Sequence, residues 1–155
     1  MARLPAQAKG EYYPTPSRVV RKIAQHITLH SRKNKFLRIY DPCAGKGRAI
    51  GKLRRELLHK TKSEIQTWGS EIHPGRAEEA SEHLDHVVAA PLEAVNWSPS
   101  HGIASILFLN PPYDWDEDEE NRRIEGYFLR RGTQALVPDG MLVYIINRNG
   151  LEWKD

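Results

Sequence analysis

The segment Phe36-Leu37-Arg38-Ile39-Tyr40-Asp41-Pro42-Cys43-Ala44-Gly45-Lys46-Gly47 decides how the rest of the chain is read. Phe36 to Tyr40 has the pattern of a short apolar strand and runs into a turn of small residues. After the turn, Ala49, Ile50, Leu53, Leu57 and Leu58 recur at the spacing of one helix face. Two glycines one residue apart let the backbone turn sharply and approach a ligand closely, although a turn between strand and helix also takes glycine for steric reasons alone. The turn is not a phosphate-binding P-loop: Gly47 to Gly51 is too short, and Lys52 is followed by Leu53 instead of Ser or Thr.

Outward from this unit the same alternation continues. Upstream, Ser17 is expected to cap a helix running to about His30, with Val19, Val20, Ile23, Ala24 and Ile27 on its apolar face. Downstream, Ile65 to Glu71 reads as a second strand. Pro74 suits the first turn of a helix that continues through Ala77, Ala80 and Leu84, and His86 to Ala90 follows as a third strand. The run from Ile103 to Leu109 is apolar almost throughout, which fits a strand covered on both faces. A polar loop from Asn110 to Asn121, a helix from about Arg122 to Leu136, a Pro138-Asp139-Gly140 turn and a fifth strand, Met141 to Ile146, complete the pattern. Strands alternating with helices imply a parallel sheet with right-handed crossovers, hence one doubly wound α/β domain with its ligand beyond the carboxyl ends of the strands.

Composition narrows the function classes. A chain of 155 residues suits one domain and buries roughly two thirds of its unfolded surface. It has no apolar run approaching the ~18 residues that span a bilayer, and Met1 to Gly10 carries no signal-like apolar core, so the expectation is a cytoplasmic protein without membrane contact. A single cysteine, Cys43, excludes a disulfide framework and a thiolate zinc site, and none of the seven histidines has tight ligand spacing, so no metal is expected. The net charge of +3 conceals an asymmetry: residues 1–62 hold 16 Lys and Arg against 3 Asp and Glu, and residues 63–155 hold 7 against 17. A basic half of this kind is a footprint for a polyanion such as nucleic acid, or simply the solvated faces of two helices. The acidic stretch Asp114 to Glu120 reads as a solvated loop.

Two further groups fall at strand ends. Glu71 lies 24 residues after Gly47, where an acid is placed to accept hydrogen bonds from both hydroxyls of a ribose. Asn110-Pro111-Pro112-Tyr113 follows the most apolar strand. Its prolines stiffen the backbone and remove two donors, leaving carbonyls as rigid acceptors. An asparagine oxygen beside them can hold a planar amino group, and the adjacent ring offers a stacking surface.

On these residues the chain resembles class I S-adenosylmethionine-dependent methyltransferases. Asp41-Pro42-Cys43-Ala44-Gly45-Lys46-Gly47 is similar to their nucleotide-binding motif. Asn110-Pro111-Pro112-Tyr113, the NPPY form, is similar to the catalytic motif of enzymes that methylate planar amino nitrogens, above all N6-adenine DNA methyltransferases. Tyr12-Tyr13-Pro14-Thr15-Pro16 resembles the extra N-terminal motif of that group, and the motif order matches the gamma class.

The resemblance implies a Rossmann-like sheet, S-adenosylmethionine as cofactor, and DNA, held through the basic N-terminal half, as partner. It implies that Tyr13, Thr15, Asp41, Pro42, Ala44, Gly45, Gly47, Glu71, Ile72 and Asn110 bind the cofactor, with Thr15 at its methionine carboxylate and Glu71 at its ribose. Asn110 and the Pro111 carbonyl would take the adenine amino group, Pro112 would shape that loop, and Tyr113 would stack on a flipped base. Cys43 is read as a packing residue, since direct displacement needs no cysteine nucleophile. RNA or a protein glutamine amide is the alternative substrate, and a non-catalytic binding module is the alternative class.

The pattern departs from the family in two places. Ala89-Ala90-Pro91-Leu92 stands where the family has an acid for the cofactor's adenine, so that contact is either absent or made by another group such as Glu93. The sequence also stops at Asp155, before the family's last two strands and target-recognition region, so the sheet is expected to be truncated after its fifth strand, with an open edge available for self-association.

Overall fold

The computed structural model describes residues 12–29, 36–96, 102–112 and 123–146. Helix α1 (Ser17–His26) precedes strand β1 (Phe36–Asp41), followed by α2 (Arg48–Leu57), β2 (Glu64–Ser70), α3 (Pro74–Ser81), β3 (His86–Val88), β4 (Ala104–Leu109), α4 (Ile124–Gly132) and β5 (Leu136–Tyr144). All strand pairs are parallel, in the order β3-β2-β1-β4-β5. The order reverses between β1 and β4, and that switch point is where an open α/β sheet leaves a crevice beyond its strand ends.

The apolar patterns account for the layering. Val20, Ala24 and Ile27 of the α1 segment and Ile50, Leu53 and Leu57 of α2 bury against Ile39, Ile65, Ile106 and Phe108 on one face of the sheet. Tyr40, Ala104, Leu107 and Ala135 form a smaller core on the other face, where Gly132 of α4 touches Leu107. Ile106, Leu107, Phe108 and Leu109 are all buried, as the continuous apolar run requires of a strand covered on both sides.

Several boundaries differ from the pattern reading. Pro16, not Ser17, is the cap of α1: its extended backbone starts the helix and its carbonyl accepts the Val19 and Val20 amides at 2.9 and 3.2 Å. The helix stops at His26, where the Lys60 ammonium donates to the Ala24 and Ile27 carbonyls at 2.6 and 3.0 Å. This cation satisfies carbonyls that a fourth turn would otherwise have used. The fourth helix is likewise shorter than expected, ending at Gly132 in a 3-10 turn, Thr133–Ala135. Strand β5 starts at Leu136 and contains the Pro138-Asp139-Gly140 turn as an irregularity, with Ala104 opposite Leu136 but Ile106 opposite Met141, and Asp139 at φ 59°. Among the described residues, no helix is long and apolar enough to cross a membrane.

Candidate functional site

Asp41, Glu71 and Asn110 each stand at or just past the carboxyl end of a strand, β1, β2 and β4 respectively, and all three line one cleft of about 260 Å³. The segment Tyr12 to Thr15 forms part of its wall, as do Ile72, Arg76 and the stretch Ala90 to Glu93. The cleft therefore lies at the switch point, where the strand order alone places a ligand.

The glycine turn shapes the cleft from beneath. Gly45 and Gly47 have φ of +54° and +71°, a region that residues with a Cβ rarely adopt. At Gly45 an added Cβ would lie 2.1 Å from Cε2 of Tyr12, so the Tyr12 ring rests directly on the glycine. Gly47 faces away, with Ala80 and Leu84 about 3 Å from where its Cβ would be. Neither glycine lines the cleft; Pro42, Ala44 and the N-terminal end of α2 do. The Ser70 hydroxyl donates to the Pro42 carbonyl at 3.2 Å, tying the turn to the end of β2.

Glu71 is buried, and both of its carboxylate oxygens are engaged. Oε2 accepts the Gly45 amide at 2.9 Å. Oε1 accepts the His73 amide at 2.9 Å and the Arg76 guanidinium through Nε at 2.9 Å and Nη2 at 2.8 Å. The Arg76 guanidinium also lies over the Tyr12 ring, 5.7 Å from its centroid.

Asp41 is buried too, its Oδ1 accepting the Cys43 amide at 2.9 Å. Burial pushes its carboxyl up to about 7, against the lowering effect of the Cys43 amide, and the Glu71 carboxylate pushes the same way as burial. Burial, with Asp41 beside it, also raises the Cys43 thiol well above its ordinary value. Such a thiol is a poor nucleophile.

Asn110 connects the two ends of the site. Its Nδ2 donates to the Tyr13 carbonyl at 2.8 Å and to Thr15 Oγ1 at 3.0 Å. With both N–H donors directed to the N-terminal segment, the amide has one orientation, which sets its oxygen as the acceptor end. Pro111 and Pro112 line the cleft beside it, whereas Tyr113 lies outside the described residues. Ile72 is 66% exposed and Tyr13 39%, both large apolar surfaces at the cleft. Glu93 lines it from the 3-10 turn Leu92–Ala94.

Pattern reading passed over Arg76 and, as a site residue, Tyr12. Arg76 was detectable in principle: it lies five residues beyond Glu71, in the first turn of the helix that Pro74 opens, close enough for the side chain to fold back on the strand end. Among the described residues, no three His, Cys, Asp or Glu side chains group as metal ligands do.

The sequence of residues 1–152 matches the model of an uncharacterised methyltransferase family, DUF6094. The chain belongs to this family. No curated protein matches it in sequence. Among solved structures, this DUF6094 member is similar in fold to a protein from Listeria monocytogenes described as a class I S-adenosylmethionine-dependent methyltransferase, with TM-score 0.70, 13% identity, and coverage of 96% of this chain and 52% of that one. The methyltransferase subunit of a type I restriction-modification system from Streptococcus thermophilus gives TM-score 0.70, 16% identity, and coverage of 92% and 36%. The plantazolicin methyltransferase BpumL, in complex with a desmethylplantazolicin analogue and S-adenosylhomocysteine, gives 0.57, 15%, and 88% and 49%. The DUF6094 chain thus has the class I methyltransferase fold and spans about half or less of the length of these structures.

Proposed function

We propose that this DUF6094 protein transfers a methyl group from S-adenosylmethionine to the N6 amino group of adenine in DNA. The observation that carries the reading is the clamp on Asn110: Tyr13 and Thr15 take both of its N–H donors, so its oxygen is oriented to accept from a planar amino group.

The cleft residues fit the cofactor in kind. Glu71 offers a carboxylate for ribose hydroxyls, Ile72 an exposed apolar surface for the adenine ring, and Glu93 an acceptor for its amino group. Tyr13 and Thr15, which line the cleft with Asp41, Pro42 and Ala44, are assigned to the methionine end. When bound, S-adenosylmethionine supplies an electrophilic methyl on a sulfonium. In the proposed reaction, Asn110 and the Pro111 carbonyl accept hydrogen bonds from the substrate amino group and draw its lone pair out of the ring. The nitrogen so positioned would take up that methyl, the sulfur keeping the electron pair of its broken bond, and the amino proton would leave to water. Cys43, held as a thiol, takes no covalent part. Tyr113 is assigned to stacking on the extruded base.

The choice of nucleic acid is supported by the basic α1 and α2 faces. Arg21 and Lys52 both pair with Glu56, and Arg54 pairs with Asp85, so part of the excess is neutralised locally. Arg18, Lys22, Arg48 and Arg55 are exposed and are assigned to phosphate contacts, which position a duplex without reading its sequence. The outer edge of β5, at the end of the strand order, is the proposed surface for self-association.

Labelled methyl transfer tests the reading, with unmethylated DNA, RNA and glutamine-containing protein offered side by side. Transfer to DNA that falls at least ~10²-fold in Asn110→Ala is the expected result. Transfer to RNA or protein with DNA untouched overturns the substrate, and nucleic-acid binding indifferent to S-adenosylmethionine with no transfer makes the chain a binding module.

A further inference from the structure

Of the two oxygens of the carboxylate proposed to hold the ribose, Oε1 is fully occupied and Oε2 keeps one open direction. An ionised carboxylate offers about four lone-pair directions. They fall two to each oxygen: on Glu71, Oε2 receives only the Gly45 amide, whereas Oε1 receives the His73 amide together with Nε and Nη2 of Arg76. A ribose diol brings two O–H donors of its own. Gly45 and His73 donate from the main chain, fixed by the glycine turn and by the start of α3, and cannot withdraw without moving those elements. Arg76 donates from a side chain that rotation can remove, and it supplies two of the four bonds.

We infer that Arg76 is an exchangeable occupant of the ribose subsite, whose N–H donors on Glu71 Oε1 give way to one ribose hydroxyl when a nucleoside binds, the other hydroxyl taking the open direction on Oε2. The inference rests on the proposed role of Glu71 at the ribose. Tyr12 belongs to the same device. Its ring rests on Gly45 and underlies the guanidinium, so Tyr12, Glu71 and Arg76, which line the cleft, close on one another over Gly45 behind them. Exchange breaks an ion pair whose members are only 17% and 6% exposed, so Arg76 lowers the affinity for every diol-bearing ligand and leaves ligands without the diol unaffected. Arg76 thereby sets how strongly the site discriminates between ribose and its deoxy analogues.

Calorimetric titration with S-adenosylhomocysteine and with its 2′,3′-dideoxy analogue reads this directly. Arg76→Ala is expected to tighten S-adenosylhomocysteine roughly tenfold, the size of one charge-assisted bond that no longer has to be exchanged, and to leave the dideoxy analogue unchanged. Arg76→Lys keeps a cation beside the buried acid, protecting the fold, while giving up the two-pronged contact; it should tighten the first ligand by a smaller factor. If the native protein prefers the diol ligand but neither variant tightens it, exchange is overturned and the ribose role of Glu71 survives. If the native protein binds both ligands equally and Glu71→Gln changes neither, the ribose role falls and the inference falls with it.

Discussion

Nδ2 of Asn110 lies 3.0 Å from Oγ1 of Thr15, joining residues 95 positions apart in sequence. Thr15 sits two residues before α1 and Asn110 directly after β4, so this bond closes the N-terminal segment over the end of the sheet. Removing the hydroxyl with Thr15→Val keeps the shape and deletes one acceptor. The amide of Asn110 then has an alternative orientation that turns its N–H groups toward the substrate. The turnover rate at saturating S-adenosylmethionine is expected to fall about tenfold, the size of one hydrogen bond with a neutral partner or slightly more. An unchanged rate would show that the Tyr13 carbonyl alone orients Asn110.

Asp41 makes stability depend on pH in an unusual direction. Its carboxyl titrates near 7 in the folded chain, against 3.8 for an ordinary aspartate. Between these values the unfolded chain has already lost the proton that the folded chain retains, so the folded state binds more protons. This contribution to stability falls as pH rises from about 4 to about 7, at up to ~1.4 kcal/mol per pH unit. Asp41→Asn keeps an oxygen for the Cys43 amide and removes the titration. Urea denaturation at pH 5 and pH 8 should therefore show the native protein losing stability relative to the variant at the higher pH. Parallel behaviour of the two proteins would mean that Asp41 ionises normally in the fold.

The Lys60 contact with the end of α1 is structural and should appear only in stability. Its ammonium donates to the Ala24 and Ile27 carbonyls, and lies 3.4 Å from that of Gln25. Lys60→Met preserves most of the stem and leaves those helix-end carbonyls without their cation. Unfolding free energy is expected to drop by about 1 to 2 kcal/mol, with the affinity for S-adenosylhomocysteine unchanged. A variant as stable as the native protein would mean that water satisfies these carbonyls equally well.

Much of this architecture is legible from local pattern because each strand is short, apolar and followed by a distinct turn. The β4 run and the Asp41 to Gly47 turn fix the crevice, and Asp41, Glu71 and Asn110 reach it because each stands at a strand end. What local pattern does not carry is pairing across sequence distance. The end of α1 depends on Lys60, more than thirty residues on, which is why its apolar spacing overstates the helix. The irregular start of β5 is set by pairing with Ala104, so Pro138 to Gly140 resembles a turn before the strand when it lies within it. Arg76 escaped notice for a different reason: an arginine on an exposed helix start has the same appearance whether it faces water or folds back onto a buried acid.

The proposed nucleic-acid surface makes a quantitative claim about salt. Each lysine or arginine that neutralises a phosphate of a duplex displaces condensed counterions, so log affinity falls with log salt at a slope of about −0.9 per contact. Arg18 and Lys22 on α1 and Arg48 and Arg55 on α2 are exposed, and Arg48 also reaches the cleft. Replacing Lys22 or Arg55 by Gln should weaken binding to unrelated duplexes to the same degree and reduce the slope by about one for each residue replaced. Neither residue lines the cleft, so the affinity for S-adenosylhomocysteine should not change. Fluorescence anisotropy with a labelled duplex across a salt series measures the slope. A slope unaltered by both replacements would remove α1 and α2 from the interface and reduce the basic half to a solvated surface.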